Sequence, residues 1–257
     1  MTAVEVRREG EVHRLTLNRP TAGNAIDQPL ADAFAAAVHA IVAEPEPQIV
    51  VLSAEGTQFC AGGDVRAVAT AEDPAAYLHR LAATMHDALR TLRRGPHTVV
   101  AAVQGAAAGA GLALVLHADI VIASERAMFL SAYAGVGLTP DCGVSRLLPR
   151  TVGPRRATEL CIAGRVLDAT EARDWGLVNT VVPDGELAAT TEDLVARLAA
   201  GPAWAQSRTL ALLRREDLDL SEQLDAELDG LGAQIALPDT RELMARLLAR
   251  SERKGSS

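Results

Sequence analysis

Aromatic side chains are scarce in this chain: two Trp, two Tyr and three Phe, or 3% of its 257 residues. Its core must therefore be assembled from Ala, Val and Leu, and 49% hydrophobic residues are enough to build a sizeable one. Cysteine is scarcer still. Cys60, Cys142 and Cys161 are odd in number and lack CxxC spacing, which argues against a disulfide framework and against a zinc cluster. No apolar run approaches the roughly 20 residues that cross a bilayer. The opening MTAVEVRREG lacks the basic and apolar regions of a secretory signal, so a cytoplasmic protein is expected. Positive charge is also in deficit: 25 Lys and Arg face 33 Asp and Glu, and the basic residues are scattered. Nucleic acid and anionic membrane are therefore not expected partners. Finally, no glycine-rich stretch carries the lysine of GxxxxGK[ST], and GAAAGAG lacks the spacing of GxGxxG, which sets aside phosphate-loop and dinucleotide readings.

What is present is ordered. Val4 to Arg8 and Val12 to Leu17 alternate apolar with polar around Glu9-Gly10, the pattern of a hairpin. Residues 28–44 carry apolar side chains at helical spacing, and the β-branched run QIVVLSAEG follows. Residues 73–94 form a second amphipathic helix, followed by the strand TVVAAV, a glycine-rich turn and a short helix. DIVIAS and AMFLS read as two further strands. Beyond residue 153 the pattern is helical, over 153–162, 168–174, 186–200, 202–215, 221–235 and 238–253, with SERKGSS expected to be disordered. Strand–helix alternation predicts an α/β fold with a largely parallel sheet covered by helices.

Two stretches ask for a chemical reading. In GTQFCAGGDV (56–65) a buried strand runs into Ala61-Gly62-Gly63 before Asp64, and in GAAAGAGLA (105–113) nine residues carry almost no side chain. Small residues after a strand let a ligand approach the main chain, and a following helix points free N–H groups at it. The plainer alternative is that they only permit tight strand–helix packing.

LNRPTAGNAI (17–26), FCAGGD (59–64), VQGAAAGAGLAL (103–114), GLTPDCGVSRLLPR (137–150) and ATEARDWGLVNTVVP (169–183) stand in the order and spacing of the crotonase, or enoyl-CoA hydratase/isomerase, family, which the chain resembles from residue 3 to about 250. The resemblance implies a spiral of ββα units over residues 1–200. It also implies a helical C-terminal region, 201–257, that belongs to the same folding unit and mediates trimerisation, commonly as a dimer of trimers. The implied substrate is an acyl-CoA thioester, with coenzyme A as part of the substrate and no permanently bound cofactor or metal. Proton abstraction beside a thioester carbonyl makes an enolate, whose oxygen two backbone N–H groups can stabilise. By position in the matched motifs these are the amides of Ala61 and Ala110. The backbone of Ala61, Gly62, Gly63 and Asp64, together with Arg19 and Ala22, is implied near the CoA adenine and phosphates.

The acid–base residues depart from the family's hydratases. Those enzymes carry one glutamate three residues after the second oxyanion residue and another in the motif after the next strands; here Ala113 and Tyr133 occupy these places. Hydration needs a group to activate water and a proton source for the α carbon, and neither carboxylate is present. Asp141 in TPDCG remains. It reads either as a helix N-cap or, by resemblance to the epoxyphenylacetyl-CoA isomerase and enoyl-CoA isomerase branch, as the single group that moves a proton between two carbons. Isomerisation is thus favoured over hydration. The motif also resembles the nucleophile of aryl-CoA dehalogenases, which pair it with a histidine on the long preceding helix; His86 lies roughly there. A non-catalytic acyl-CoA-binding protein is a further alternative. Tyr133 and His86 are equally readable as pocket-wall and helix-face residues, and His13, His97 and His117 as ordinary strand or loop residues.

Overall fold

The chain opens as the expected hairpin: β1 (Val4–Glu9) pairs antiparallel with β2 (Val12–Leu17) across Gly10, whose φ of +63° suits glycine. The computed structural model describes residues 2–215 and 218–255. Helix α1 (Gln28–Val42) starts where Asp27 accepts the Leu30 N–H, and it buries Leu30, Phe34, Val38 and Ile41, which lie three to four residues apart on one face. The chain continues through β3 (Ile49–Ala54), a single turn α2 (Val65–Ala69), the long α3 (Pro74–Arg94) and β4 (Thr98–Val103). Next come β5 (Ala106–Ala108), α4 (Ala110–His117), β6 (Ile120–Ser124), β7 (Met128–Leu130), α5 (Val144–Val152) and α6 (Pro154–Ile162). The rest is β8 (Val166–Asp168), α7 (Ala169–Asp174), β9 (Thr180–Val182), α8 (Leu187–Ala199), α9 (Ala203–Leu213), α10 (Leu220–Ile235) and α11 (Pro238–Gly255).

The strands sort into two sheets. The larger runs β1-β2-β3-β4-β6-β9, parallel from β2 onward, and the smaller runs β5-β7-β8. Successive units β4-β5-α4 and β6-β7-α5 each give one strand to each sheet before a helix, which is the spiral ββα arrangement of the crotonase fold. Isolated parallel bridges Ile26↔Gly63 and Cys60↔Ala107 carry the smaller sheet's pairing into the two glycine-rich loops. The core is largely Ala, Val and Leu, as the composition demands, yet all three phenylalanines, Phe34, Phe59 and Phe129, are fully buried in it.

The structure departs from the expectations in places. SERKGSS is not a disordered tail throughout, because α11 continues to Gly255; Ser256 and Ser257 lie outside the described residues. The short elements α2, β5, α5, β8 and β9 were not expected from the pattern. His117 is neither strand nor loop but the last residue of α4. The C-terminal helices are tied to the larger sheet by Arg214, which follows α9. Its guanidinium donates to both Asp119 carboxylate oxygens and to the carbonyls of Arg93, Gly95 and His97, while Asp119 also accepts the Val99 N–H.

Candidate active site

The two small-residue loops lie against each other. Cys60 N–H donates to Ala106 O at 3.0 Å and Ala108 N–H to Cys60 O at 2.9 Å. A Cβ on Gly111 would collide with the Cys60 carbonyl, and one on Gly62 would come within 2.9 Å of Ala108 O and 3.6 Å of Ala110 N. Side chains are absent here because two backbones meet. Gly109, with φ +52°, donates its N–H to Leu130 O and turns the chain into α4, so that Ala110 is the helix's first residue.

One of the two expected oxyanion donors, Ala61, is already engaged within the chain. The Ala61 N–H already donates to Gly23 O at 2.9 Å, so it is not available to a ligand. Two residues on, after the left-handed Gly62 (φ +95°) has redirected the chain, no described residue accepts the Gly63 N–H. None accepts the Ala110 N–H either. The contact of Gly62 with Ala108 and Ala110 brings these two open amides to one place, and the space above Gly63 is unobstructed. Ala22 ends a 3-10 turn (Pro20–Ala22) beside this loop, and Gly23 closes the turn.

Arg19 ties the loop of the first motif to the loop at 56–65. Its guanidinium donates to Asp64 Oδ2 at 2.7 Å and to Ala25 O at 2.8 Å, and lies 3.3 Å from Asp27 Oδ2. Asp64 also caps α2 through the Ala67 N–H. Burial pushes the Asp64 carboxyl up, but the Ala67 amide and Arg19 outweigh it and leave it below its ordinary value. Arg19 and Asp64 thus satisfy each other.

Asp141 lies among other candidates. Helix α5 is preceded by Gly143 with no side-chain cap, so Asp141 is not an N-cap. Its Oδ1 instead accepts the Tyr133 hydroxyl at 2.6 Å, and its Oδ2 lies 3.6 Å from His86 Nε2 on α3. Burial, reinforced by the Asp141 charge, pushes the Tyr133 phenol far above its usual range, so Tyr133 stays protonated and donates. Burial, with the neighbouring Asp141 charge, likewise raises the Cys142 thiol, and burial pushes Cys60 up to about 12. Neither buried thiol is a nucleophile. The Asp141 side chain is 31% exposed, accessible to a ligand, and Ala113 is fully buried one turn into α4. The Tyr133 ring lies against Gly109, 3.9 Å from where a Cβ would stand, so the acidic group adjoins the amide pair.

His86 Nε2, Asp141 and Cys142 Sγ lie within 4.8 Å of one another, the one such group among the described residues. Zinc bonds of about 2.0 Å to nitrogen and 2.3 Å to sulfur span at most about 4.3 Å, so a pair at that separation would have to close before an ion were held. Separately, a cavity of about 440 Å³ between β2, β3, β4 and α8 is lined by Arg14, Ser53, Gln104 and Asp184 and shares no residue with this site.

Comparison with known proteins agrees with this architecture. The enoyl-CoA hydratase/isomerase family model matches residues 7–252. The 1,2-epoxyphenylacetyl-CoA isomerase of Escherichia coli (strain K12) is 35% identical over 252 residues, 94% of each chain. A crystal structure from Mycobacterium abscessus, assigned as an enoyl-CoA hydratase/isomerase, superimposes with a TM-score of 0.92 at 36% identity, covering 96% of this chain and 97% of the other. One from Thermobifida fusca, assigned as an enoyl-CoA hydratase and solved in complex with CoA, gives a TM-score of 0.83 at 34% identity over 91% of this chain and 93% of the other. With five motifs in register, a two-sheet ββα spiral and open amides at the head of α4, the chain belongs to the enoyl-CoA hydratase/isomerase, or crotonase, family.

Proposed function

We propose that the protein is an enoyl-CoA isomerase that moves a double bond with one carboxylate, Asp141. The observation that carries this reading is the state of that carboxylate. Oδ1 is held by the Tyr133 hydroxyl at 2.6 Å, leaving Oδ2 as the oxygen that can exchange a proton, and the two places where a hydratase carries glutamates hold Ala113 and Tyr133. The thioester oxygen accepts from the Gly63 and Ala110 amides. Asp141 Oδ2 takes a proton from C2 of a 3-enoyl-CoA; the C–H electrons form a dienolate whose negative charge rests on that oxygen. The protonated Asp141 then returns the proton to C4, and the double bond is left between C2 and C3. One base suffices because the proton leaves and returns on the same oxygen. Losing one donor of such an amide pair costs about 3 kcal/mol of transition-state stabilisation.

The CoA portion follows the resemblance, with the backbone from Ala61 to Asp64, Arg19 and Ala22 beside it, and the CoA complex of the Thermobifida fusca relative supports a thioester ligand. Residues 1–200 act as the acyl-CoA-binding core and 201–257 as an oligomerisation region of the same folding unit. An apolar stripe on α10 supports self-association as a homotrimer or dimer of trimers: Leu220, Leu224, Leu228, Leu231 and Ile235 recur at helical spacing and Leu228 is 69% exposed. A cytoplasmic location fits a chain in which no described helix is long and apolar enough to cross a membrane.

Conversion of 3-enoyl-CoA to 2-enoyl-CoA, seen as new conjugated enoyl absorbance, tests the reading. Rapid hydration of crotonyl-CoA would overturn it, and binding without turnover would favour a non-catalytic acyl-CoA-binding role. The 3.6 Å approach of His86 to Asp141 favours a second reading, in which Asp141 attacks a halogenated aryl-CoA, expels halide and His86 activates the water that frees the product. Halide release from 4-halobenzoyl-CoA, with a transient aryl ester on Asp141, distinguishes it.

A further inference from the structure

Among the described residues, Cys142 is one of three non-glycine residues with positive φ, at +49°, and Gly143 follows at +84°. This left-handed pair brings the chain from Asp141 into α5, and an L-residue does not hold such a conformation unless its surroundings impose it. Two histidines impose it here. The Cys142 N–H donates to His86 Nε2 at 3.0 Å, and the Cys142 carbonyl is paired with His117 Nε2 at 3.0 Å. The protonation sites follow from the chemistry of one peptide. A carbonyl only accepts, so His117 carries its proton on Nε2; an amide N–H only donates, so His86 Nε2 is bare and its proton sits on Nδ1. His117 Nδ1 is then a buried atom without a hydrogen-bond partner among the described residues, a cost that the Cys142 contact offsets. Burial holds His117 down to about 4, so it stays neutral in this role at ordinary pH.

His117 is the last residue of α4 and Ala110 the first, about 10 Å apart along one helix that is buried along its whole length. We propose that His117 is a positioning residue: by gripping the Cys142 carbonyl it fixes the Asp141 carboxylate relative to the Ala110 amide, so that α4 sets the distance between the oxyanion site and the proton-transfer group. This rests on the reading of Asp141 as the acid–base group. A hydrophobic residue at position 117 would fill the space but leave the Cys142 carbonyl ungripped. Glutamine places a side-chain N–H near the position of Nε2.

The test compares wild type, His117→Leu and His117→Gln in 3-enoyl-CoA isomerisation, with the histidine tautomers read by 15N–1H correlation on 15N-histidine-labelled protein. His117→Leu should lower kcat about 10- to 100-fold with KM changed by less than about twofold, and His117→Gln should recover most of the loss. Should the leucine variant fail to fold, the glutamine variant and the tautomers decide: the proposal requires Nε2–H on His117 and Nδ1–H on His86. An unchanged kcat in His117→Leu, no rescue by glutamine, or an Nδ1–H tautomer at His117 would overturn it. If wild type converts no enoyl thioester the isomerase reading fails, whereas the tautomers still show whether the grip on Cys142 exists.

Discussion

Asp141 caps no helix. A helix's first N–H groups are capped by the residue directly before it, but before α5 that residue is Gly143, with no side-chain bond, so the Asp141 carboxylate is left to the Tyr133 hydroxyl, with His86 Nε2 3.6 Å from its other oxygen. If the Tyr133 hydroxyl orients that carboxylate, Tyr133→Phe should lower kcat about 10- to 100-fold with little change in KM, measured with 3-enoyl-CoA, because only orientation is lost. The cysteines give a second residue-scale prediction. Cys60 and Cys142 are buried thiols raised in pKa, whereas Cys161 is half-buried. Iodoacetamide at pH 8 should label Cys161 in the native protein and the other two only after unfolding, read by peptide mass. That Ala110 heads a helix was legible in the sequence, because the small-residue stretch runs straight into an apolar segment. Gly63 was not. Which of four successive amides is open depends on the Gly23 carbonyl, some 40 residues earlier, and on the left-handed turn at Gly62. The meeting of Tyr133, His86 and Asp141 was equally hidden, since it depends on the backbone at Cys142.

Among elements, α4 has an unusual burden: it is apolar all round, carries an open amide at its head and ends on the histidine that holds the Asp141 loop. Arg214 does for the C-terminal helices what α4 does for the site. Its five hydrogen bonds reach three carbonyls and the Asp119 carboxylate from a largely buried guanidinium. Arg214→Met should therefore leave Asp119 buried and unpaired and cost about 3–5 kcal/mol in urea unfolding; a loss under 1 kcal/mol would show that the contact is incidental. The long helices α1 and α3 were legible because their periodicity runs over four or more turns. Strands β5, β8 and β9 were not, since three residues cannot display a period of two. Helix α5 hid behind Pro149, a residue that argues against a helix interior, and is held by neighbouring α4 and α6 rather than by its own propensity.

For the whole molecule, buried histidines set an acid limit. Burial holds His97 and His117 down to about 4, below the ordinary value near 6.5 that they regain on unfolding, and His13 is lowered too. The unfolded chain binds protons first as pH falls, so this stability is present above about 6.5 and is lost progressively toward 4, at most on the order of 3 kcal/mol for each of His97 and His117. The thermal midpoint should fall most steeply across that window; a flat profile from pH 7 to 4 would contradict it. The α10 stripe makes a second prediction at this scale: Leu228→Glu with Leu231→Glu should shift the sedimentation coefficient from an assembly to a single chain. The central claim, that a single carboxylate moves a proton over an oxyanion-stabilised thioester, is tested most directly by assaying wild type and Asp141→Asn with 3-enoyl-CoA while measuring binding of the same ester. The account predicts conjugated 2-enoyl-CoA from wild type, none from Asp141→Asn, and equal binding by both; undiminished isomerisation by Asp141→Asn would contradict it.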